Sequence, residues 1–282
     1  MEEWAQVDGL RFRFQRSGRG PALVLVHGLL GYLFSWRFAA PLLAAERETF
    51  ALDMPGSGYS DVNDGLDCRL QSAAKRLLAF MDAVRISSCD LIGSSYGGTT
   101  ALMAAVLAPE RIRSLVLVSP ANPWSKIGRR RLALLESSLV AAAFPKVARQ
   151  LPQVHRYFLR RMYGTRARVT EETVRGYNLP VSRPGVLEHA VRIAHSWKAD
   201  MEEVQAALPN MAKIPILLLW GSKDRVVDPA SAESLRRHLC CAESVVIKGA
   251  GHLPYEECPE EFSRVVLDFF KRHSSPAVAG GK

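Results

Sequence analysis

The sequence predicts an α/β fold, a mostly parallel central sheet with helices on both faces. Two observations carry that prediction. Short, fully apolar runs bounded by glycine or proline alternate with longer stretches whose apolar residues recur at helical spacing. This is the pattern of parallel strands joined by crossover helices. The residues that follow the apolar runs are also distinctive: His27-Gly28, Asp53-Met54-Pro55-Gly56, Gly93-Ser94-Ser95, Gly221-Ser222-Lys223-Asp224 and Lys248-Gly249-Ala250-Gly251-His252. Ligands of open α/β sheets sit beyond the carboxyl ends of the strands. Nearly every strand end here delivers glycine or a group fit for catalysis.

The elements follow in order. Gly9–Arg16 alternates, with Leu10, Phe12 and Phe14 on one side and Arg11, Arg13 and Arg16 largely on the other, the period of a half-exposed strand. Ala22–Val26 is a continuous apolar run, as expected for a strand buried on both faces, and Thr49–Leu52 is a shorter one. Leu70–Val84 gathers Leu77, Leu78 and Met81 on a helical face. Cys89–Ile92 and Ser114–Val118 are buried strands around a helix at Thr99–Ala108. Ile216–Trp220 and Ser244–Ile247 are the last strands, with helices expected over Ala230–His238 and Pro259–Lys271. A basic middle segment separates the two runs of this pattern. The small, polar tail 274–282 is expected to be disordered.

The net charge of +9 is concentrated in the middle segment. Residues 121–200 hold 15 Lys and Arg against 5 Asp and Glu, whereas the remainder holds 22 against 23. No nucleic-acid-binding module accompanies this charge. A solvated face is one interpretation; an anionic substrate, or a peripheral contact with an anionic membrane surface, is the sharper one. No apolar run is long enough to span a bilayer, and the N-terminus lacks the pattern of a secretory signal. Cys68, Cys89, Cys240, Cys241 and Cys258 show neither paired nor metal-ligand spacing, so reduced thiols, no metal and a cytoplasmic location are expected.

The chemistry centres on Gly93-Ser94-Ser95-Tyr96-Gly97, which fits G-x-S-x-G only with Ser95 at its centre. The motif follows a buried strand and opens a helix, the context in which the central serine is forced onto a strained turn. A serine hydroxyl needs an adjacent base. His252, in a small-residue loop after the last strand, is the candidate, and His27 is a competitor better suited to a structural hydrogen bond. The base needs an acceptor to fix its tautomer. Asp224 is the best placed, ahead of Asp228, which reads as a helix cap, and of the uncharged Asn122. The amides of Tyr96, at a helix N-terminus, and of Leu29 are the expected oxyanion donors. The order Ser95, Asp224, His252 is that of a nucleophile-elbow hydrolase.

With these residues in place, the chain resembles the α/β-hydrolase superfamily. The blocks "HGLLGYLFSW", "DMPGSGYSD", "GSSYGG", "WGSKDRVVD" and "GAGHLPYEECPEEF" occur in the family's order. The resemblance implies an α/β-hydrolase fold with a helical lid inserted after the sixth strand, here Asn122–Leu208, between core residues 1–121 and 209–273. Leu132–Phe144 is consistent with a lid helix, and Tyr157, Phe158, Leu159, Met162 and Tyr163 with an apolar pocket wall or with lid packing. It implies a serine hydrolase of carboxylic esters or thioesters acting on a small-molecule substrate without a cofactor. The alternatives are a carbon–carbon bond hydrolase of the same fold and a non-catalytic small-ligand receptor. Dehalogenase and epoxide hydrolase readings fall because both want a carboxylate at position 95.

Overall fold

The computed structural model describes residues 2–127, 137–239 and 242–273. Its centre is an eight-stranded sheet in the order β1-β2-β4-β3-β5-β6-β7-β8. The strands are β1 Glu2–Val7, β2 Leu10–Ser17, β3 Ala22–Val26, β4 Glu48–Leu52, β5 Cys89–Ser94, β6 Ile112–Val118, β7 Ile216–Gly221 and β8 Ala242–Ile247. β1 and β2 run antiparallel at one edge, and every pairing from β4 to β8 is parallel. The continuous apolar runs are thus central strands covered on both faces, and the alternating Leu10–Ser17 stretch lies near the edge.

Successive residues of a strand point to opposite faces, and the core divides accordingly. Val24 and Val26 of β3 join one cluster with Leu91, Leu117 and Trp220, whereas Leu23 and Leu25 join another with Ile92, Val116 and Leu219. The first face is covered by α2 Leu70–Ala83, α3 Tyr96–Leu107 and α8 Ser231–Arg236, and the second by α1 Ala39–Leu43 and α10 Pro259–His273. Among the described residues, four α-helices lie between β6 and β7: α4 Ser138–Gln150, α5 Pro152–Met162, α6 Glu171–Val181 and α7 Val186–Ala207. A short α9, Pro254–Glu257, precedes α10. The insertion is rooted in both clusters, through Ile193, Met201 and Val204 of α7 on one face and Leu159, Tyr163 and Tyr177 on the other.

The strand expectations hold to within a residue or two, but β1 escapes the sequence pattern. It is a charged edge strand in which only Ala5 and Val7 are buried. Of the helix expected over Leu132–Phe144, residues 132–136 fall outside the described residues, and α4 runs on to Gln150. The tail 274–282, Arg129 to Arg131, Cys240 and Cys241 also lie outside them.

The pocket-wall expectation is corrected in part. Tyr157 and Phe158 are exposed and face outward, whereas Leu159 and Tyr163 are buried packing between insertion and core. Much of the insertion's charge is also structural. Arg149 pairs with Glu188 and Arg156 with Glu171, while Arg183 donates to the Gly58 and Ser60 carbonyls. Among the described residues, no helix is long and apolar enough to cross a membrane.

Candidate active site

Ser95 sits at the junction of β5 and α3 with φ 54° and ψ −121°, a conformation costly for any residue with a Cβ. The turn is held by the Ser95 amide, which donates to the Val118 carbonyl, and by the Ser95 carbonyl, which accepts from Ala121 N and Thr99 N. The flanking glycines are required by close approach. A Cβ on Gly93 would collide with the Gly97 carbonyl, and one on Gly97 with the His27 carbonyl. Leu30 and Ser119, in the segments after β3 and β6, also have positive φ. Three strained residues therefore converge on the carboxyl end of the sheet.

The base and acid follow from β8 and β7. His252 Nδ1 lies 2.8 Å from Asp224 Oδ2, and both side chains are buried. An ionised carboxylate can only accept, so Nδ1 is the donor in this pair, and it is Nε2 that carries the lone pair whenever the ring is neutral. Burial opposes ionisation of Asp224, yet the adjacent His252 ring, its hydrogen bond and the Val226 amide hold the carboxyl below the ordinary carboxylate range. Asp224 Oδ1 accepts from Val226 N at 2.7 Å and Val227 N at 3.0 Å. Among the described residues no hydrogen bond joins Ser95 to His252. Such contacts are commonly long without substrate and tighten in the Michaelis complex.

Gly28 packs against Ser95, where an added Cβ would lie 3.0 Å from Ser95 Cβ. Leu29 is therefore next to the serine, and among the described residues its amide has no protein acceptor. Tyr96 is the first residue of α3, so its amide has no intrahelical partner. Beside these amides lies a cavity of about 20 Å³, lined by Gly28, Leu29, Tyr96, Arg76, Cys68 and His189 among others. That is room for about one water.

The rival residues are engaged elsewhere. His27 Nε2 accepts from Met54 N at 3.0 Å and Nδ1 contacts the Gly28 carbonyl at 2.8 Å. This ties β3 to the loop after β4, and burial keeps the ring neutral. Asp228 Oδ1 accepts from Ala230 N, a capping contact ahead of α8. Asn122 Oδ1 accepts from Trp124 N and Ser125 N, and its amide reaches Ser231. His155 meets Asn178, His238 the Ser234 carbonyl, and His273 Glu243. His189 meets Cys68 at 3.3 Å, and burial lowers its pKa to about 4.

Sequence reasoning missed the residues that hold the base in place. His252 N donates to the Met162 carbonyl at the end of α5. Glu257 accepts from Gly251 N on one side and from Gly164 N and Thr165 N on the other. Glu256, fully buried, pairs with Arg37 at 2.8 Å and accepts from the Tyr163 and Tyr177 hydroxyls. Ser94 donates to the Tyr255 hydroxyl at 3.1 Å, linking the elbow to the segment after the base. The local signal was the acid pair in "PYEE", but its partners lie up to 219 residues away in sequence.

A family profile described as alpha/beta hydrolase fold matches residues 21–259. A dihydrolipoyllysine-residue acetyltransferase component of an acetoin cleaving system from Pseudomonas putida is 32% identical over 95% of this chain and 69% of its own. The uncharacterized hydrolase YugF of Bacillus subtilis (strain 168) is 28% identical over 94% of this chain and 96% of its own. Among solved structures, Cfl2 from Burkholderia cenocepacia superposes with a TM-score of 0.85 at 23% identity, covering 95% of each chain.

Proposed function

The chain belongs to the α/β-hydrolase family, and on that premise we propose that it is a serine hydrolase acting on carboxylic esters or thioesters. The observation that carries this reading is the buried His252–Asp224 pair at the same sheet end as the strained Ser95. Ser95 Oγ attacks the carbonyl carbon while His252 Nε2 takes its proton. Asp224 holds the ring in that tautomer and stabilises the imidazolium. The carbonyl oxygen, now negative, is received by the Leu29 and Tyr96 amides, and removing one such donor costs on the order of 10²-fold in rate or more. Collapse of the tetrahedral adduct expels the alcohol or thiol, protonated by His252. Water activated by the same ring then releases the acid and restores Ser95. Every step uses groups of this chain, and the helices between β6 and β7 would serve as the lid over the nucleophile.

The test is steady-state hydrolysis of p-nitrophenyl esters from acetate to decanoate. Ser95→Ala is expected to lower kcat/KM by roughly 10³-fold or more, and Asp224→Asn by a comparable factor, with folding unchanged. Full activity in Ser95→Ala would sink the assignment. Binding without turnover by the wild type would favour the receptor reading.

A further inference from the structure

Helix α4 is apolar on the side that faces away from the protein. Its inner side carries Ala141, Pro145 and Ala148, whereas Leu139, Val140 and Val147 are exposed, Leu139 to 84%. The pattern continues past the turn. Leu151 is exposed, and on α5 so are Tyr157 and Phe158, whose rings stand edge to face at 5.7 Å. One exposed apolar side chain is ordinary on a protein surface. Six on two consecutive helices and the turn between them form a patch of the kind that marks an interaction site.

The charges beside this patch narrow the partner. Residues 137–170 contain seven Lys and Arg and no Asp or Glu. Arg149, Arg156 and Arg168 of that stretch bind Glu188, Glu171 and the Glu257 carbonyl. Lys146 on α4 and Arg160 and Arg161 on α5 make no ion pair among the described residues, and they flank the exposed apolar side chains. Long cationic side chains can lay their stems over apolar surface and lift their charge to a headgroup layer. A second copy of this face would bring cation against cation across a two-fold axis.

We propose that the outer face of α4 and α5 docks on an anionic lipid surface, with the six apolar side chains entering the acyl boundary and Lys146, Arg160 and Arg161 meeting the headgroups. Because the end of α5 binds the His252 backbone, docking would hold the site close to esters carried at that surface. This last consequence rests on the hydrolase reading; the docking itself does not.

The experiment is co-sedimentation of the full chain with phosphatidylcholine vesicles, with and without phosphatidylglycerol, at low and high salt. The proposal expects binding to the anionic vesicles that weakens with salt. It also expects at least about tenfold weaker binding for Arg160→Glu/Arg161→Glu and for Tyr157→Ser/Phe158→Ser. Both doubles should hydrolyse a soluble short-chain ester like the wild type, and Ser95→Ala should bind vesicles normally. Equal affinity for neutral and anionic vesicles, or no binding by the wild type, would overturn it. So would a wild-type dimer that the Tyr157/Phe158 double dissociates, since the face would then belong to a second copy. Loss of hydrolysis in Ser95→Ala with vesicle binding kept separates the two proposals.

Discussion

The insertion between β6 and β7 meets its surroundings in two opposite ways. At the seam with the His252 loop, backbone packs on backbone. A Cβ on Gly164 would collide with the Gly249 carbonyl, and one on Gly251 with the Met162 carbonyl. Two buried carboxylates, Glu256 and Glu257, satisfy the amides, hydroxyls and guanidinium gathered there. Helices α4 and α5 themselves contain no Asp or Glu, and their leucine, valine and aromatic side chains stand in solvent beside cations, the carboxylates that meet them, Glu171 and Glu188, coming from α6 and α7. Where the chain supplies acids, the insertion is fixed to the core and to the base. Where it supplies none, charge and apolar surface are left for something outside the protein. Among the described residues, the cations of α4 and α5 therefore fall into two populations, one paired within the protein and one facing outward.

The largest expected effect breaks the first population. Glu256→Ala leaves the half-buried Arg37 guanidinium without its carboxylate and the buried Tyr163 and Tyr177 hydroxyls without their acceptor, and should destabilise the fold by about 3 kcal/mol, read from urea unfolding midpoints. A loss under about 1 kcal/mol would mean the seam does little for stability. Gly164→Ala forces a methyl into the base loop and should cost about 1–3 kcal/mol. It should also lower kcat more than it raises KM, because the displaced loop carries His252. An unchanged kcat would show that the base is positioned independently of the insertion.

The third prediction concerns pH. Asp224 titrates below the ordinary carboxylate value of about 4 in the folded protein. A carboxyl lowered on folding contributes stability that is fully present above its unfolded pKa and lost as pH falls through its folded one. The stability gap between wild type and Asp224→Asn should therefore shrink between about pH 5 and about pH 2. A constant gap across that range would contradict the assignment of the charge to Asp224. The smallest effect belongs to the outer face. Leu139→Ser should change stability by no more than about 0.5 kcal/mol, since the side chain is almost wholly exposed; a larger loss would mean that it packs against the protein.

The same contrast explains what could be read from the sequence. β3, β5, β6 and β7 were legible because burial on both faces demands uninterrupted apolar runs, and Gly93 to Gly97 because close approach admits little else. Asp224 and His252 stood out because each follows a strand end in a loop. β1 was not legible, since an edge strand needs only Ala5 and Val7 turned inward. Nor were the roles of Glu256 and Glu257, whose meaning depends on Arg37, Tyr163, Gly164 and Tyr177, all brought in by the fold. The outward orientation of Tyr157 and Phe158 was equally hidden, because an aromatic pair on a helix carries no mark of which side faces the core.

The most direct measurement is reaction with a fluorophosphonate probe, followed by mass spectrometry of the intact protein and its peptides. The account predicts a single adduct located on Ser95, absent from Ser95→Ala and formed much more slowly by Asp224→Asn. A folded wild-type protein that takes up no probe, or takes it up at another residue, would contradict it.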